Sequence, residues 1–376
     1  MKNADSSATA VAWVRAGAVW RAFTGTLLVA LSACGGGGGG SAVEPPTLAA
    51  TDLAVLIAEG DATSEAIGLA YQQARGIPDA QVIRLPVPLG SDVISASDFA
   101  ALKATLDARL PDNVQATLVT WTQPSRVLGT CAMGLTSALA FGYDVKYCVS
   151  GAPVCSATAA SPYFNAATRR PWTDLKLRPS MMLGAATLAE AQALIARGVA
   201  ADHSWAGGGA TGKAFLVRTT DSARSVRYPD FQTLVPSPVP GLSVNYIDNS
   251  AGAVGSNVVV GQTDVMFYLT GLTIVPQIAS NSYLPGAVAD HLTSYGGVLP
   301  DGRGQMPITS WLKAGVTASY GTVEEPCAFT EKFPQASVLV RHYQRGETLI
   351  EAYWKSVQWP GQGLFVGEPL ARPWAP

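Results

Sequence analysis

The sequence predicts an α/β fold: a largely parallel sheet flanked by helices on both faces, in one domain or two packed subdomains. Two observations predict it. Short apolar runs of strand length alternate with longer stretches whose apolar residues recur at three- and four-residue intervals. The chain of 376 residues is also 48% apolar, enough to cover such a sheet on both sides.

The elements follow in order. LAVLIAEG (53–60) suits a buried strand. SEAIGLAYQQARG (64–76) reads as a helix with Ser64 as its cap and Gly76 as its stop. QVIRLPVP (81–88) is a second strand, and ASDFAALKATLDARL (96–110) is a helix capped by Ser97. ATLVTW (116–121) is a third strand. Residues 123–178 are loop-rich and hold three of the five cysteines. The alternation then resumes with PSMMLGA (179–185) as strand and LAEAQALIARGVAAD (188–202) as helix. KAFLVRT (213–219), LSVNYID (242–248) and DVMFYLTGL (264–272) are strands. PGAVADHLTS (285–294) carries Pro285 where helices favour it, and is expected to be helical. TSWLKAG (309–315) is a helix and VTASYGT (316–322) a strand. Two helices follow at 336–346 and 348–357, and GLFVGEPL (363–370) closes the body as strand and turn. This places an N-terminal α/β subdomain at 50–206 and a C-terminal one at 213–376.

The start of the chain has a different character. Lys2, Arg15 and Arg21 precede AFTGTLLVALSA (22–33), an apolar stretch of about a dozen residues, where a spanning helix needs roughly 20. Leu31-Ser32-Ala33-Cys34 resembles the bacterial lipobox. Residues 1–33 are therefore expected to be a lipoprotein signal peptide, with lipid on Cys34 as the membrane anchor. The rival is an ordinary signal peptide with a chance cysteine. Six glycines and a Pro-Pro make residues 34–49 a tether, since such a run has maximal backbone entropy to lose. Gly35 is not aspartate, and by resemblance to enterobacterial sorting this favours the outer membrane.

The formal net charge is −2. Loss of residues 1–33 removes three positive charges and one negative, leaving about −4, with no basic run. Nucleic-acid binding has no electrostatic footprint here. Cys131, Cys148, Cys155 and Cys327 remain, an even number in an oxidising compartment, and two disulfides are expected. Three pairings are open. Zinc is the rival, but there is no C-x-x-C pair and the histidines are scattered. No metal or cofactor is expected. Gly207 to Lys213 nearly spell a phosphate-binding loop, yet Ala214 stands where its hydroxyl belongs and the run precedes a strand rather than a helix. A nucleotide is not expected.

The strings YLPGAVADHLTSYGG, SWLKAGVTASYGTVEEPCAFTEKFP and LIEAYWKSVQWPGQGLFVGEPLARPW resemble a bacterial protein family found in genomes that encode exosortase, a sorting enzyme for extracellular-matrix proteins. LAVLIAEGDATSEAIGLAYQQARGIPDAQVIRL is similar to the same family, so the resemblance spans nearly all of residues 50–376. That family has no assigned activity. More distantly, LKAGVTASYGTVEEP, IEAYWKSV and FVGEPLARP follow an order seen in gingipain- and caspase-like peptidases. Those enzymes need a thiolate and a histidine base. The resemblance puts Thr270-Gly271 in the place of the His-Gly pair, and Ser294-Tyr295 in that of the cysteine. Both halves of the dyad are then replaced.

The reading that follows is a non-catalytic envelope lipoprotein serving binding or assembly, with an envelope protein as partner, linked to exosortase-type export. The alternative is a hydrolase with a site at the strand ends, using His291, Ser294, Glu325 and Glu368. His291 and Ser294 would share a helix face; the plainer expectation is a surface histidine and a capping serine. Glu324, Glu325 and Glu368 could hold a metal or act as acid and base, or be solvated and turn-capping residues. Cys327 is a disulfide half or a free nucleophile. His342 is expected on a helix surface and His203 in a loop without catalytic part. The loops after Leu272, Thr322 and Gly367 are where sites in such a sheet belong.

Overall fold

In a computed structural model the described residues are 47–150, 155–236, 239–253 and 256–376. Cys34, the expected signal peptide and most of the expected tether lie outside them.

The first half opens with β1 (Leu53–Ala58), buried at every position as expected for a central parallel strand. Helix α1 (Ala62–Arg75) is capped by Asp61, which accepts from the Ser64 amide at 2.6 Å, and stops at left-handed Gly76. Ser64 is thus not the cap. Its hydroxyl instead accepts the Ala58 amide at 2.9 Å. Next come β2 (Val82–Leu85), β3 (Val93–Ser95) and α2 (Ala96–Arg109), whose cap is Ser95 rather than Ser97. After β4 (Ala116–Val119), the loop-rich stretch contains β5 (Arg126–Leu128), β6 (Ala132–Gly134), α3 (Leu135–Phe141) and α4 (Pro171–Leu175). β3, β5 and β6 form a small separate sheet. The half ends with β7 (Ser180–Met182) and α5 (Leu188–Ala201).

The second half runs β8 (Gly212–Arg218), α6 (Tyr228–Leu234), β9 (Leu242–Asp248), β10 (Val265–Gly271), β11 (Tyr283–Leu292), α7 (Thr309–Lys313), β12 (Ala318–Thr322), α8 (Ala336–Gln344), α9 (Leu349–Ser356) and β13 (Gly363–Gly367). One expectation fails here. Residues 283–292 are a strand, not a helix. Pro285 and Gly286, the latter at φ 84°, sit where the β10–β11 register shifts, so the Pro-Gly pair makes a bulge instead of opening a helix. The run after them, Ala287 to Leu292, is fully buried between two parallel neighbours.

The large sheet has ten strands in the order β2-β1-β4-β7-β13-β12-β11-β10-β8-β9. Every pair is parallel except β12–β13. The strands of 50–206 and those of 213–376 therefore lie in one continuous sheet, and β13 from the C-terminus seats against β7 of the first half. Because β13 is parallel to β7 and antiparallel to β12, the two halves point in opposite directions. Each half has the same connection order. Its first strand is central, the second goes outward, and the later ones return across the first.

Helices cover both faces. Along β11, Asp290 faces Arg227 and Tyr353 of α9, while the next residue, His291, faces Trp311 of α7. The period of two along a strand requires this alternation. No described helix is long and apolar enough to cross a membrane.

Candidate functional site

In a parallel sheet, side chains that act together gather beyond the carboxyl ends of the strands. In the second half these are the ends of β10, β11 and β12. The register pairs Thr270 with His291 and Gly271 with Leu292, so the residues after them emerge side by side. Thr322, at the end of β12, donates its hydroxyl to the carbonyls of Thr293 and Ser294, each at 3.0 Å. Thr270, Ser294 and the loop after Thr322 thus lie at one end of the sheet.

The surroundings of Thr270 are tightly built. Arg227 donates to its carbonyl at 2.6 Å and reaches the Asp290 carboxylate at 2.6 Å. Asp290 is fully buried. Burial pushes its carboxyl above the usual range, with Arg227 pulling the other way. A β-carbon on Gly271 would stand 1.9 Å from the Arg224 carbonyl, so the loop after β8 presses directly on the end of β10. The Thr270 hydroxyl is buried and has no partner among the described residues.

Ser294 is 8% exposed. Beside it, Gln305 Oε1 accepts from the Thr293 hydroxyl at 2.7 Å and from the Tyr295 amide at 2.9 Å. The Arg303 guanidinium stands 5.1 Å over the Tyr295 ring. Partial burial, then the charges of Glu324 and Glu325, hold the Tyr295 phenol above its usual pKa. Glu325 accepts the Cys327 amide at 2.8 Å, and Glu324 faces the Glu325 amide at 3.3 Å. Both carboxylates therefore shape the turn they stand in. Lys332, next along the chain, is fully buried, and its ammonium has no hydrogen-bond acceptor among the described residues.

The four candidates of the hydrolase alternative do not converge. His291 lies on a strand, fully buried, with Nδ1 accepting from the Trp311 indole at 3.0 Å and Nε2 facing the Met306 carbonyl at 3.1 Å. Burial drives its pKa down to about 3. Glu368 lies at the far end of β12 from Glu325, because β13 runs antiparallel: Gly367 pairs with Ala318 and Gly363 with Thr322. It is buried against Arg75, which donates from Nε at 2.9 Å and from Nη2 at 2.7 Å, and it accepts from Tyr71 at 2.7 Å. The loop after Gly367 thus opens away from those after Leu272 and Thr322. Ser294, Glu325 and His291 lie toward one end of the sheet, but both nitrogens of His291 are engaged in the core.

The remaining residues also find places. Cys131 pairs with Cys148 and Cys155 with Cys327, so Cys327 is a disulfide half. His342 is 2% exposed rather than on the surface: Glu347 lies 2.9 Å from Nδ1, and Glu347 also holds buried Lys355 at 2.7 Å. His203 is exposed, its Nδ1 2.8 Å from the Pro376 carbonyl. Gly207 and Gly208 precede β8, and Lys213 lies within it. Among the described residues no group of three or more His, Cys, Asp or Glu is placed to hold a metal.

Three groups here carried no sequence signal that set them apart: the Arg227–Asp290 pair, buried Lys332, and the hydroxyl clamp of Thr322. Each depends on which strands become neighbours. Comparison with protein-family models, with curated proteins and with solved structures gave no match for this chain.

Proposed function

We propose that this chain is a lipid-anchored envelope protein that binds or assembles with an envelope protein partner, on a caspase- and gingipain-like scaffold that no longer performs peptidase chemistry. One observation carries the reading. At the ends of β10 and β11, where the resemblance puts a histidine and a cysteine, stand Thr270 and Ser294. A hydroxyl is a poor nucleophile unless a base takes its proton. The histidine in that neighbourhood, His291, has both nitrogens engaged inside the protein.

Topology supports the scaffold part. From the outer edge, the second half reads β9-β8-β10-β11-β12 in parallel and then β13 antiparallel, which agrees with the largely parallel, helix-flanked sheet that the resemblance implies. The hydrolase alternative is less well supported, since it needs Glu368 and His291 beside Ser294. The lipid on Cys34, the outer-membrane address and the link to exosortase-type export belong to this proposal and rest on the sequence.

The test treats the full chain, in its native membrane, with an irreversible thiol-directed peptidase probe and with a fluorophosphonate serine-hydrolase probe. No label is expected on Ser294 or on any cysteine. Label at Ser294, competed by a peptide substrate, overturns the non-catalytic reading. In parallel, Cys34→Ser should abolish incorporation of labelled lipid and release the protein from the membrane fraction. A variant that stays in that fraction, with no lipid on the wild type, overturns the anchor.

A further inference from the structure

The first half has a crevice of its own, beyond the carboxyl ends of its strands. We propose that it binds a neutral sugar unit of hexose size. The site is the cavity of about 210 Å³ between the loops that follow β1, β2, β4 and β7. β2 and β4 flank β1 on either side, so the chain's order reverses there. Ligands of open α/β sheets lie at such switch points, beyond the carboxyl ends of the strands.

The floor is wired from within. Ser64 and Thr120 share a hydrogen bond of 2.6 Å, and Thr120 also donates to the Leu56 carbonyl at 2.9 Å. These hydroxyls hold the two central loops together and leave the walls to a ligand. The walls offer the Asp61 carboxylate, the hydroxyls of Thr63 and Thr122, and the carbonyl oxygen of the Gln123 amide, whose nitrogen donates to the Leu299 carbonyl at 3.4 Å. Trp121 forms another part of the lining. It is 4% exposed, and its indole N–H has no acceptor among the described residues.

The chemistry of the lining selects the ligand. Among the described residues no lysine, arginine or histidine lines the cavity, and the one ionisable group there is an acid. The start of α1, which would otherwise attract an anion, is already capped by Asp61. Phosphates and carboxylates are therefore disfavoured. A mixture of hydroxyl, amide and carboxylate groups beside Trp121 and Leu89 matches a molecule with hydroxyls around its rim and C–H groups on its face. Seven waters, at ~30 Å³ each, would fill the space, and a single hexose displaces about that number. The inference is independent of the proposal for the strand ends of the second half, because it uses neither Thr270 nor Ser294.

Saturation-transfer NMR on the full chain in detergent tests it, with glucose, galactose and mannose as probes, their 6-phosphates as anionic controls and ethanolamine as a cationic one. At least one neutral hexose should receive saturation, and the phosphates and ethanolamine should not. Asp61→Asn keeps the helix cap, since asparagine accepts the same amide, and should weaken binding about tenfold. Thr122→Ala, which changes a half-buried side chain outside the helix, should do the same without lowering the melting temperature. Saturation of no neutral hexose, or of the phosphates or ethanolamine alone, overturns the proposal. So does hexose binding of equal strength in both variants.

Discussion

Trp311 donates its indole N–H to Nδ1 of His291 across 3.0 Å of core. The geometry leaves Nε2 to carry the imidazole proton, aimed at the Met306 carbonyl, so the ring is held neutral. Burial is the main cause of its low pKa, about 3 against 6.5 for a free histidine, with the nearby Arg227 and Arg224 charges acting the same way. Below pH 6.5 the unfolded chain takes up a proton that the folded one refuses. Stability from His291 is therefore complete above pH 6.5 and is lost as the pH falls toward 3. The slope should be about 1.4 kcal/mol per pH unit in that window. Urea unfolding of the wild type and of His291→Gln from pH 7 to pH 4 measures it as a difference. Equal acid dependence in the two proteins, or a His291 ring that titrates near 6.5 by NMR, would refute the assignment.

Lys332 presents the opposite situation, a buried cation with no acceptor among the described residues and the Phe329 ring 5.2 Å from its ammonium. Desolvation lowers its pKa from 10.5 to about 8, against the opposing pull of Glu325. A base whose folded pKa is lowered destabilises the fold while it stays charged. That penalty is full at neutral pH and disappears as the pH rises from 8 through 10.5. Lys332→Met should therefore raise stability by about 2 kcal/mol at pH 7. The gain should shrink to nothing near pH 10.5. A destabilised variant at pH 7 would mean that the ammonium has a partner in the native protein.

Much of the architecture is legible in the sequence where a strand is buried on both faces. β1, β4, β8 and β10 read as apolar runs because parallel strands between two helical layers have no wet side. β11 reads as a helix in the sequence because Pro285 and Gly286 look alike in a helix start and in a bulge, and only pairing with β10 decides between them. The direction of β13 is a property of the closed sheet, which no local pattern records, and it is what separates Glu368 from Glu325. His342 looked like a surface residue because its helix is amphipathic. Its burial depends on Glu347, five residues on, folding back to meet it. The order of elements in a resemblance points to Thr270 and Ser294, and strand register with the Thr322 hydroxyl contact puts both at one end of the sheet.

Gly198, in the middle of α5, is expected to be irreplaceable for a reason of space. A β-carbon there would stand 2.4 Å from Cγ and from Oε2 of Glu368. That carboxylate cannot step aside freely, since Arg75 and Tyr71 hold it. Alanine would normally gain about 1 kcal/mol over glycine inside a helix. Here the clash should dominate, and Gly198→Ala should destabilise by about 1–3 kcal/mol. Thermal unfolding checks the sign. An equal or higher melting temperature would show that the Glu368–Arg75 pair yields without cost.

The two disulfides should differ in what they contribute, and chain length gives the order. Cys131–Cys148 closes a loop of 17 residues, whereas Cys155–Cys327 closes one of 172. Loop-closure entropy assigns about 3 kcal/mol to the first and about 5 kcal/mol to the second, with the unfolded chain as the state that is restricted. The second bond also fixes a turn with its own strain, since Cys327 and Ala328 are both left-handed at φ 56° and 55° without being glycine. Replacing Cys155 and Cys327 by serine should therefore lower the urea midpoint more than replacing Cys131 and Cys148. Amide exchange should also quicken at residues 324–328 well before the sheet opens, because those residues lose the tie that holds them in an unfavoured conformation. Freshly prepared wild type, alkylated without reduction, should show no modified thiol among the four. Alkylation at Cys327 in that sample would refute the pairing, and a larger loss from the shorter loop would refute the entropic ordering.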